Sequence, residues 1–447
     1  MSALKEFLEE VFGSLEATQT EYCLLRNHED LPATVPGTDI DMLVAPNHAA
    51  SVVHRLLDVG KKHGFLALSM YRKHLRILHV KLWNPASAVC LRFDIITSIG
   101  SVAFESFTAG RVLSNRISHR GFHVLPAPME AAVTVVQNWL SPGAHLKEKY
   151  IHQIRGFSEA ERGQFFALLA REVGEERMLL FTQCLIAGAP SVQKMIQETR
   201  RQLWLWVAVR SPLRTLFNAA SFVRTSMERA LRPPGRFIVL LGPDGSGKST
   251  VAKRLVVALE KFYPNVVLEH LYPKVLPRLR DVRQKINTGG NDRPESEWQR
   301  RSRKVGFIKS FISLCYYTFV YISGYWLAIY PHLVKGSLVV YDRYCYDYIT
   351  DPSSKGVNLP RWLIRTFLML VPKPDTVLFV YCDAHVAHQR KNEIPPEEIH
   401  RQIVELRALG TSIKKFIEID NSKEISETIL QAVRAVESAQ AVARVVI

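Results

Sequence analysis

The chain has 447 residues, a net charge of +16 and hydrophobic residues at 47% of its positions. This composition is typical of a folded, soluble protein and excludes a disordered or collagenous chain, and the length predicts two or three domains. Six cysteines are scattered without a Cys-x-x-Cys pair, which argues against a disulfide framework or zinc site and favours a reducing compartment. The N-terminus predicts an acidic amphipathic helix, unlike a signal peptide, so we expect a cytoplasmic protein.

The positive charge is concentrated in two stretches. Residues 200–236 hold eight arginines and one acid, and residues 271–310 hold eleven basic and four acidic residues. Such clusters suit nucleic acid, an anionic membrane surface, phosphorylated substrates or a merely solvated surface. Because no nucleic-acid-binding module or aromatic-interleaved basic stripe accompanies them, nucleic acid is the least favoured partner.

Short strands alternate with helices at the start of the chain, which predicts an α+β domain over residues 1–125. Strands are expected at 22–25, 40–44, 77–81 and 89–96, with a helix near 48–60. Asp39 and Asp41 are two residues apart in one strand and therefore share a face, and Asp94 lies near the end of another apolar run. Three converging carboxylates can hold Mg²⁺ and position a triphosphate, so these acids are candidate metal ligands and catalytic residues.

The segment Tyr-Cys-Leu-Leu-Arg-Asn at 22–27, followed by Gly-Thr-Asp-Ile-Asp at 37–41, resembles the first strands of polymerase-β-type nucleotidyltransferases. The resemblance implies a nucleotidyltransferase-like domain with an appended helical part and with Lys147 and Lys149 as phosphate contacts. Arg26-Asn27-His28 stands where that family has a Gly-Ser turn. Three interpretations of these acids are open: they belong to an active transferase, to a domain that only binds its ligand, or to strands unrelated to that family.

Residues 126–232 are predicted to form a helical segment with a basic end. Arg-Pro-Pro-Gly at 232–235 then breaks the helical pattern and marks a domain boundary. Within residues 200–236, arginines are mixed with leucine, tryptophan and phenylalanine. This mixture is typical of a helix that lies on a membrane surface or packs against a neighbouring domain.

A complete phosphate-binding loop, Gly-Pro-Asp-Gly-Ser-Gly-Lys-Ser-Thr, occupies residues 242–250 between an apolar strand at 237–241 and an amphipathic helix. Its glycines let backbone N–H groups point at phosphate oxygens, and the helix N-terminus adds partial positive charge. We expect Lys248 to contact the β- and γ-phosphates and Ser249 to bind Mg²⁺, so ATP and Mg²⁺ are the predicted cofactors. The expected nucleotide-binding residues are Gly242, Asp244, Gly245, Ser246, Gly247, Lys248, Ser249 and Thr250.

The remainder of residues 236–447 predicts an α/β domain with a parallel sheet covered by helices on both faces. Further strands are expected at 338–341, 377–382 and 416–419, with helices between them. Asp342 and Arg343 follow one strand at its carboxyl end, where side chains face the nucleotide crevice. Asp342 is expected to hold the Mg²⁺ shell or accept a hydroxyl proton, and Arg343 to clamp a phosphate. A strand-end salt bridge is the alternative interpretation of this pair.

One uncharged stretch, residues 310–331, is long enough at 22 residues to cross a bilayer of ~30 Å. It lies between the phosphate-binding loop and the strand at 338, so a span would put two strands of one sheet on opposite sides of the membrane. We therefore favour a buried or interfacial helix, with peripheral contact to the inner face of the membrane through 306–331 or 200–236 as the membrane-bound alternative.

Three segments of this half together resemble the thymidylate kinase-like branch of P-loop kinases. They are the loop at 242–250, Asp-Arg-Tyr at 342–344, and Lys-Pro-Asp-Thr-Val-Leu-Phe-Val-Tyr-Cys-Asp at 373–383. The resemblance implies a P-loop kinase fold over residues 236–447. It also implies a final strand and turn near the adenine, and a lid in which Arg390 acts on the transferring phosphate, joined by Lys391 and Arg401.

The chain departs from this family where the family binds its acceptor. Glu269–Pro273 stands in place of an Arg-Glu-Pro-Gly stretch, and Cys345–Asp351 in place of the Ser and Ala-Tyr-Gln that hold thymine. Proteins of this divergent type resemble those found with glycan-synthesis enzymes, which suggests a sugar or glycan precursor as acceptor. An anionic acceptor is indicated by the nearby cations Lys274, Arg278, Arg280, Arg283 and Lys285.

The sequence thus predicts an ATP·Mg²⁺-dependent phosphotransferase joined to a nucleotidyltransferase-like domain. Two other functions are open at this stage. One is a true thymidylate or nucleoside monophosphate kinase, and the other is a nucleotide-gated regulatory protein that recruits partners or membranes through its basic helices. The sequence leaves the oligomeric state open.

Overall fold

The computed structural model describes two compact units, Met1–Glu228 (unit 1) and Arg229–Ala443 (unit 2). The described residues are 3–35, 37, 39–74, 76–84, 86–87, 89–101, 103–143, 145–260, 262–273, 275–276, 306–352, 355–391, 395–422 and 424–438. The division between the units falls close to the Arg-Pro-Pro-Gly break at 232–235, where two prolines prevent a helix from continuing.

Unit 1 combines a mixed sheet with many helices. Its helices are α1 (Ala3–Ala17), α2 (Ala49–Lys62), α3 (Ala109–Leu113), α4 (Ala127–Leu140), α5 (Glu148–Arg155), α6 (Glu159–Val173), α7 (Glu175–Ala187), α8 (Ala189–Arg210) and α9 (Pro212–Leu231). Its strands are β1 (Tyr22–Leu24), β2 (Asp39–Val44), β3 (Leu66–His74), β4 (Ile77–Asn84), β5 (Val89–Ile96), β6 (Ser98–Ser101), β7 (Phe104–Thr108), β8 (Ile117–His119) and β9 (Phe122–Val124). Each strand expected from the sequence in this region therefore forms, and β4 extends three residues further than expected.

The main sheet of unit 1 has the order β3-β4-β5-β2-β1-β9-β8. Its centre is the parallel pair β2 and β5, in which Asp39 lies opposite Arg92 and Asp41 opposite Asp94. Because paired residues in neighbouring strands point to the same face of a sheet, the register brings the three predicted acids onto one face.

The helices α4 to α8 pack into the same core as part of this sheet. Trp139, Phe165 and Phe181 are fully buried in a cluster that also contains Leu43 and Ile96 from the strands. The Trp139 Nε1–H donates to Thr199 Oγ1 at 3.0 Å, which satisfies the one polar atom of this ring. The segments expected as 1–125 and 126–232 accordingly share one core, because the apolar faces of these helices are buried against the strands.

Unit 2 is a parallel α/β fold. Its elements in chain order are β10 (Arg236–Leu241), α10 (Lys248–Leu259), β11 (Val266–His270), α11 (Phe307–Gly324), a π-helical turn (Tyr325–Ile329), α12 (Tyr330–Val334), β12 (Leu338–Asp342), α13 (Asp347–Thr350), α14 (Arg361–Met369), β13 (Thr376–Tyr381), α15 (Ala384–Arg390), α16 (Pro396–Gly410), β14 (Phe416–Asp420) and α17 (Ile425–Ser438). The sheet order is β11-β12-β10-β13-β14, and each neighbouring pair is parallel. The predicted fold class of this half is confirmed.

The central strand β10 is buried on both faces. Phe237, Val239 and Leu241 belong to the cluster on one side, and the alternate residues Ile238 and Leu240 are equally buried on the other. A strand of this kind is expected in a parallel sheet, where crossover helices cover both faces. The carboxyl ends of β10 and β12 therefore open at one edge of the sheet, and the phosphate-binding loop follows β10 there.

The helical stretch Phe307–Val334 is long and apolar enough to cross a membrane by length and composition alone, although only 33% of its most apolar window is buried. Leu314, Tyr321 and Ile329 on one side belong to the core of unit 2, while Ile308 and Leu327 are exposed. The stretch lies between β11 and β12, which are neighbours in one sheet. Its buried side therefore belongs to the core of unit 2.

Two neighbouring residues of α7 provide a test of the core of unit 1. Leu185 is 7% exposed and Ile186 is 81% exposed. We expect Leu185→Ala to lower the free energy of unfolding by about 2–5 kcal/mol, because it removes buried carbon and leaves a cavity. Ile186→Ala is the matched control and is expected to change it by less than about 0.5 kcal/mol. Chemical denaturation measures both, and equal effects would contradict the packing described here.

Candidate active site

The loop between β10 and α10 needs glycine at positions where the chain crowds its neighbours. Gly245 has a φ of 83°, and a Cβ built on it would collide with the Ala387 carbonyl oxygen. A Cβ on Gly242 would likewise collide with the Val380 carbonyl oxygen. The loop therefore packs directly on the backbone of β13 and α15, and α10 begins at Lys248, immediately after the loop. This is the anion-binding geometry that the sequence predicts.

Lys248 is buried at the centre of this loop. Its side chain is 5% exposed, and its Nζ donates to the Pro243 carbonyl oxygen at 2.5 Å. Burial, with the nearby Arg343 guanidinium as the second cause, lowers the pKa of Lys248 to about 8. An anionic ligand in the loop would add negative charge beside Lys248 and raise this pKa again.

Asp342 at the end of β12 faces the loop from the neighbouring strand. Its Oδ2 accepts a hydrogen bond from Ser249 Oγ at 2.5 Å and lies 3.7 Å from His270 Nδ1. Burial raises the pKa of Asp342, but the contacts with His270 and Ser249 and the charge of Lys248 together lower it. Oδ1 is buried without a hydrogen-bond partner in the described structure. A hydroxyl beside an ionised carboxylate with a free oxygen suits Mg²⁺, which takes few protein ligands and keeps waters.

Arg343 connects the strand edge to the loop. Its φ of 74° places it in the left-handed region, and its N–H donates to the Leu240 carbonyl oxygen at 3.0 Å. The guanidinium donates to Asp347 Oδ2 at 2.9 Å and also to Asp244 of the loop. Although burial opposes it, the charges of Arg343 and Lys248 lower the pKa of Asp244 to about 2. Arg343 is therefore held at the loop by two carboxylates, Asp244 and Asp347.

The predicted lid residues lie in different places. Arg390 ends α15, and its Nη1 lies 3.9 Å from a Cβ built on Gly247, beside the loop. Arg401 instead pairs with Glu398 at 2.6 Å and Glu405 at 2.7 Å along α16. The residues 392–394, which belong to the expected lid, lie outside the described residues.

Asn421 closes the loop from the far side of the sheet. Its Nδ2 donates to the Ser246 carbonyl oxygen at 2.8 Å, and its backbone N–H donates to the Tyr381 carbonyl oxygen at 2.8 Å. The family resemblance implies a turn near the adenine after the final strand, and Asn421 lies in the turn after β14. Its contact with the loop was not predicted. Thr250 lies in the exposed first turn of α10, behind the loop.

Several residues near the site were missed by the sequence analysis. Buried Asp347 joins Arg343 to Lys355, whose Nζ lies 3.6 Å from Asp347 Oδ2. Next to it, the Tyr272 and Tyr317 rings stack at 4.9 Å, and Tyr272 and Tyr348 bring their hydroxyl oxygens to 3.3 Å. The only sequence signal for this group is the tyrosine-rich stretch 341–348, and such a stretch is equally typical of buried core residues. Lys274, Arg278, Arg280, Arg283 and Lys285, the expected acceptor-site cations, lie outside the described residues.

In unit 1 the sheet brings the three predicted acids together. Asp41 and Asp94 are each 7% exposed. Each acid is paired with a cation: Arg26 Nε lies 2.5 Å from Asp41, and Arg92 Nη2 lies 2.6 Å from Asp39. Their metal-binding role stays a prediction.

Asp94 is the most heavily paired of these acids. His79 Nδ1 lies 2.5 Å from its Oδ1, and Arg92 Nε lies 3.0 Å from the same atom. Burial would raise the pKa of Asp94, but His79 and Arg92 overcome it and lower the pKa. Among the described residues no group of three or more acidic, histidine or cysteine side chains has the geometry of a metal site.

A second polar cluster adjoins Arg26. Burial raises the pKa of Glu130, in the first turn of α4, to about 7. Lys149 Nζ donates to Asn27 Oδ1 at 2.8 Å, and Asn27 has a φ of 53°. The turn at 26–28 therefore takes a left-handed residue without glycine, and Lys149 lies beside it. Lys147, the other expected phosphate contact, immediately precedes α5.

Part of the chain is similar to curated thymidylate kinases. The chain is 30% identical over 165 residues to a thymidylate kinase of Caenorhabditis elegans, a match that covers 35% of this chain and 67% of that protein. It is 28% identical over 151 residues to a thymidylate kinase of Xanthomonas euvesicatoria, covering 34% of this chain and 58% of that protein. The chain thus spans about two thirds of the nematode protein and less than two thirds of the bacterial one. No family model matches the chain.

A solved thymidylate kinase from Ehrlichia chaffeensis is also similar, at 20% identity over 45% of this chain and 98% of that one, with a TM-score of 0.31. That score is too low to support an argument about structure. The match to the nematode protein, at 30% identity over two thirds of its length, shows homology for the matching segment. Over about a third of its length, the chain therefore belongs to the thymidylate kinase family.

Proposed function

We propose that unit 2 transfers the γ-phosphate of ATP to an acceptor that carries a phosphomonoester. The observation that supports this most strongly is the placement of Asp342 beside the phosphate-binding loop, hydrogen-bonded to Ser249 at 2.5 Å. Together with Ser249, this carboxylate can hold the Mg²⁺ that accompanies ATP in phosphoryl transfer. Membership of the thymidylate kinase family supports the same class of reaction.

The residues of the crevice divide the work of phosphoryl transfer. The loop amides and Lys248 hold the β- and γ-phosphates, and Arg390 lies where a cation can offset charge on the moving phosphoryl group. Ser249 and Asp342 are the residues that would hold Mg²⁺. When bound, the ion neutralises charge that develops on the phosphate oxygens. The residues of the chain thus position and stabilise, and the chemistry needs no covalent intermediate.

The acceptor side of the crevice is polar and aromatic. Arg343 reaches it from the sheet edge, and the stacked pair Tyr272 and Tyr317 lies next to Tyr348. A cation beside aromatic rings suits a phosphate attached to a flat or apolar group, which favours a nucleoside monophosphate. The family relationship points the same way. A sugar phosphate is the second candidate, because Cys345–Asp351 stands where thymine-binding residues are expected.

We further propose that unit 1 carries a nucleotidyltransferase-like site at Asp39, Asp41 and Asp94. The in-register pairing of Asp41 with Asp94 on parallel strands favours it. The cations Arg26 and Arg92, which now pair with these acids, could instead meet triphosphate oxygens once a divalent ion occupies the carboxylates. The chain would then be a bimodular enzyme.

Lys248→Ala is expected to reduce phosphoryl transfer by at least about a thousandfold, because the buried cation beside the phosphates is lost. The measurement is transfer of labelled γ-phosphate from ATP to dTMP and, in a parallel reaction, to a mixture of sugar phosphates. Lys253→Ala, on the exposed side of the same helix, is the matched control and should retain full activity. Full activity of Lys248→Ala, or turnover of wild type that responds to membranes or partner proteins but to no acceptor, would contradict the proposal.

Nucleotide affinity should fall as pH rises above about 8. Free Lys248 has its pKa lowered to about 8, whereas bound phosphates raise that pKa, so binding takes up a proton only above the lower value. Below it the lysine is already charged and the affinity is constant with respect to this group. Calorimetric titration with a non-hydrolysable ATP analogue between about pH 7.5 and 9.5 should show up to about tenfold weakening per pH unit. Lys248→Met should remove this dependence, and an unchanged slope in that variant would assign it to another group.

The double variant Asp39→Asn with Asp41→Asn should leave phosphoryl transfer by unit 2 unchanged and abolish pyrophosphate release by unit 1. Asparagine keeps the shape of each side chain but removes the charge that a divalent ion needs. Pyrophosphate release from each nucleoside triphosphate, assayed in the presence of a small-molecule extract, is the first measurement, and ATP phosphotransfer is the second. Loss of phosphotransfer in a variant with an unchanged melting profile would show that the two sites are not independent.

A further inference from the structure

Helix α9 turns its apolar side to solvent. Leu213, Leu216, Phe217, Val223 and Met227 recur at helical spacing, and the exposed fraction is 81% for Leu213 and 64% for Phe217. These five residues form what we call the outer face of α9. In a soluble globular protein such a stripe normally faces the core. A contiguous exposed apolar stripe of this kind marks an interaction site.

The opposite side of α9 is polar and buried. Asn218 and Thr225 are 8% and 6% exposed, and Asn218 Nδ2 donates to the Ala103 carbonyl oxygen at 3.4 Å. An amphipathic helix in a soluble protein normally has the reverse orientation, with its apolar side buried and its polar side in water. The outward orientation of the apolar stripe is therefore set by the fold of unit 1 and leaves the stripe available to a partner.

An apolar cleft lies where α8 meets the start of α9. It has a volume of about 450 Å³ and is lined by Phe104, Arg201, Trp204, Leu205, Ala208 and Thr215. The Phe104 and Trp204 rings stack at 5.2 Å on its wall. Leu205 and Val209 of α8 are themselves exposed, so apolar surface continues from the cleft along α8. A cleft of this size with one arginine among apolar residues suits an acyl chain with an anionic headgroup.

The charges around this surface select its occupant. Residues 200–228 of unit 1 carry five arginines and one acid, and Arg201 and Arg214 are exposed beside the apolar residues. A second copy of the chain would bring like charges together across the face, which disfavours self-association. An anionic bilayer surface provides both an apolar interior and a layer of negative phosphates at the depth of the arginines.

We propose that the outer face of α9, with the adjoining cleft, docks unit 1 onto the surface of an anionic lipid bilayer. The apolar residues enter the boundary between headgroups and acyl chains, and the arginines contact lipid phosphates. This interaction is peripheral and reversible, because α9 lies on the surface of the bilayer and does not cross it. It is independent of the phosphoryl-transfer site in unit 2.

Flotation of the full chain with lipid vesicles tests the proposal. Wild type should bind vesicles of phosphatidylcholine with a minor fraction of phosphatidylglycerol, bind pure phosphatidylcholine at least about tenfold more weakly, and lose affinity as salt rises. Phe217→Glu should weaken binding to the anionic vesicles by about tenfold or more, since it removes apolar surface and adds a charge of the wrong sign. Arg201→Gln with Arg214→Gln should weaken binding to the same vesicles by a similar factor.

Val257→Glu is the matched control, because Val257 is 66% exposed on α10, away from the outer face of α9 in sequence. It should bind anionic vesicles as wild type does, and ATP phosphotransfer should be unchanged in all these variants. Failure of wild type to bind, equal binding to neutral vesicles, or equal loss in Val257→Glu would overturn the proposal. So would a dimer in sedimentation without lipid that Phe217→Glu converts to monomer, since the face would then be covered by a second copy.

Discussion

The parallel register between β10 and β12 is the constraint on which the site of unit 2 depends. Leu240 pairs with Asp342, so the carboxylate reaches the sheet edge where the phosphate-binding loop leaves β10. Ser249 can then donate to Asp342, and Arg343 can donate its backbone N–H to Leu240. A shift of one residue would turn Asp342 to the other face of the sheet and separate it from the loop.

The phosphate-binding loop could be predicted from sequence because its geometry is local. All of its parts lie within about twenty consecutive residues: the spaced glycines, the lysine that follows them, and the flanking strand and helix. The motif and the structural context that confirms it can therefore be recognised in one short segment. The approach of Asp342 could also be predicted, since the carboxyl ends of parallel strands meet at one edge. What could not be predicted was the partner of each charge. Arg343 donates to Asp244 and Asp347, which depends on strand order and on the turn after β12. His270 became a neighbour of Asp342 only because β11 joins the sheet next to β12.

Unit 1 shows the same division between local and long-range information. Helix α6 lies within the segment 126–232 that the sequence predicts to be helical, and its start is fixed locally by a capping box between Ser158 and Glu161. The shared face of Asp39 and Asp41 followed from the period of a strand. The cations that pair with these acids come from elsewhere in the fold, however: Arg92 from β5 and Arg26 from the turn after β1. No periodicity within a single segment predicts these pairs. The sequence also predicted the helical segment 126–232 apart from the strands of 1–125, with which it shares a core. The apolar face of a helix shows that the helix packs against another element, but it does not show which element.

The net charge of the chain carries less information about catalysis than about surfaces. Around the loop of unit 2, Lys248 and Arg343 are offset by Asp244, Asp342 and Asp347, so the described part of this crevice is close to neutral before a ligand enters. A site that holds its own counter-ions keeps its cations positioned, and it exchanges these internal pairs for phosphate contacts on binding.

The arginine excess in residues 200–228 of unit 1 is of a different kind, because only one acid lies among five arginines. Uncompensated positive charge on a surface costs little in water. It repels a second copy of the chain and attracts an anionic partner over a Debye length of roughly 10 Å. Joined to an apolar stripe that faces outward, the same excess becomes selective, since a soluble anion would satisfy the arginines but leave the leucines and phenylalanine in water. Both features are met together only by a partner that is anionic at its surface and apolar just beneath it.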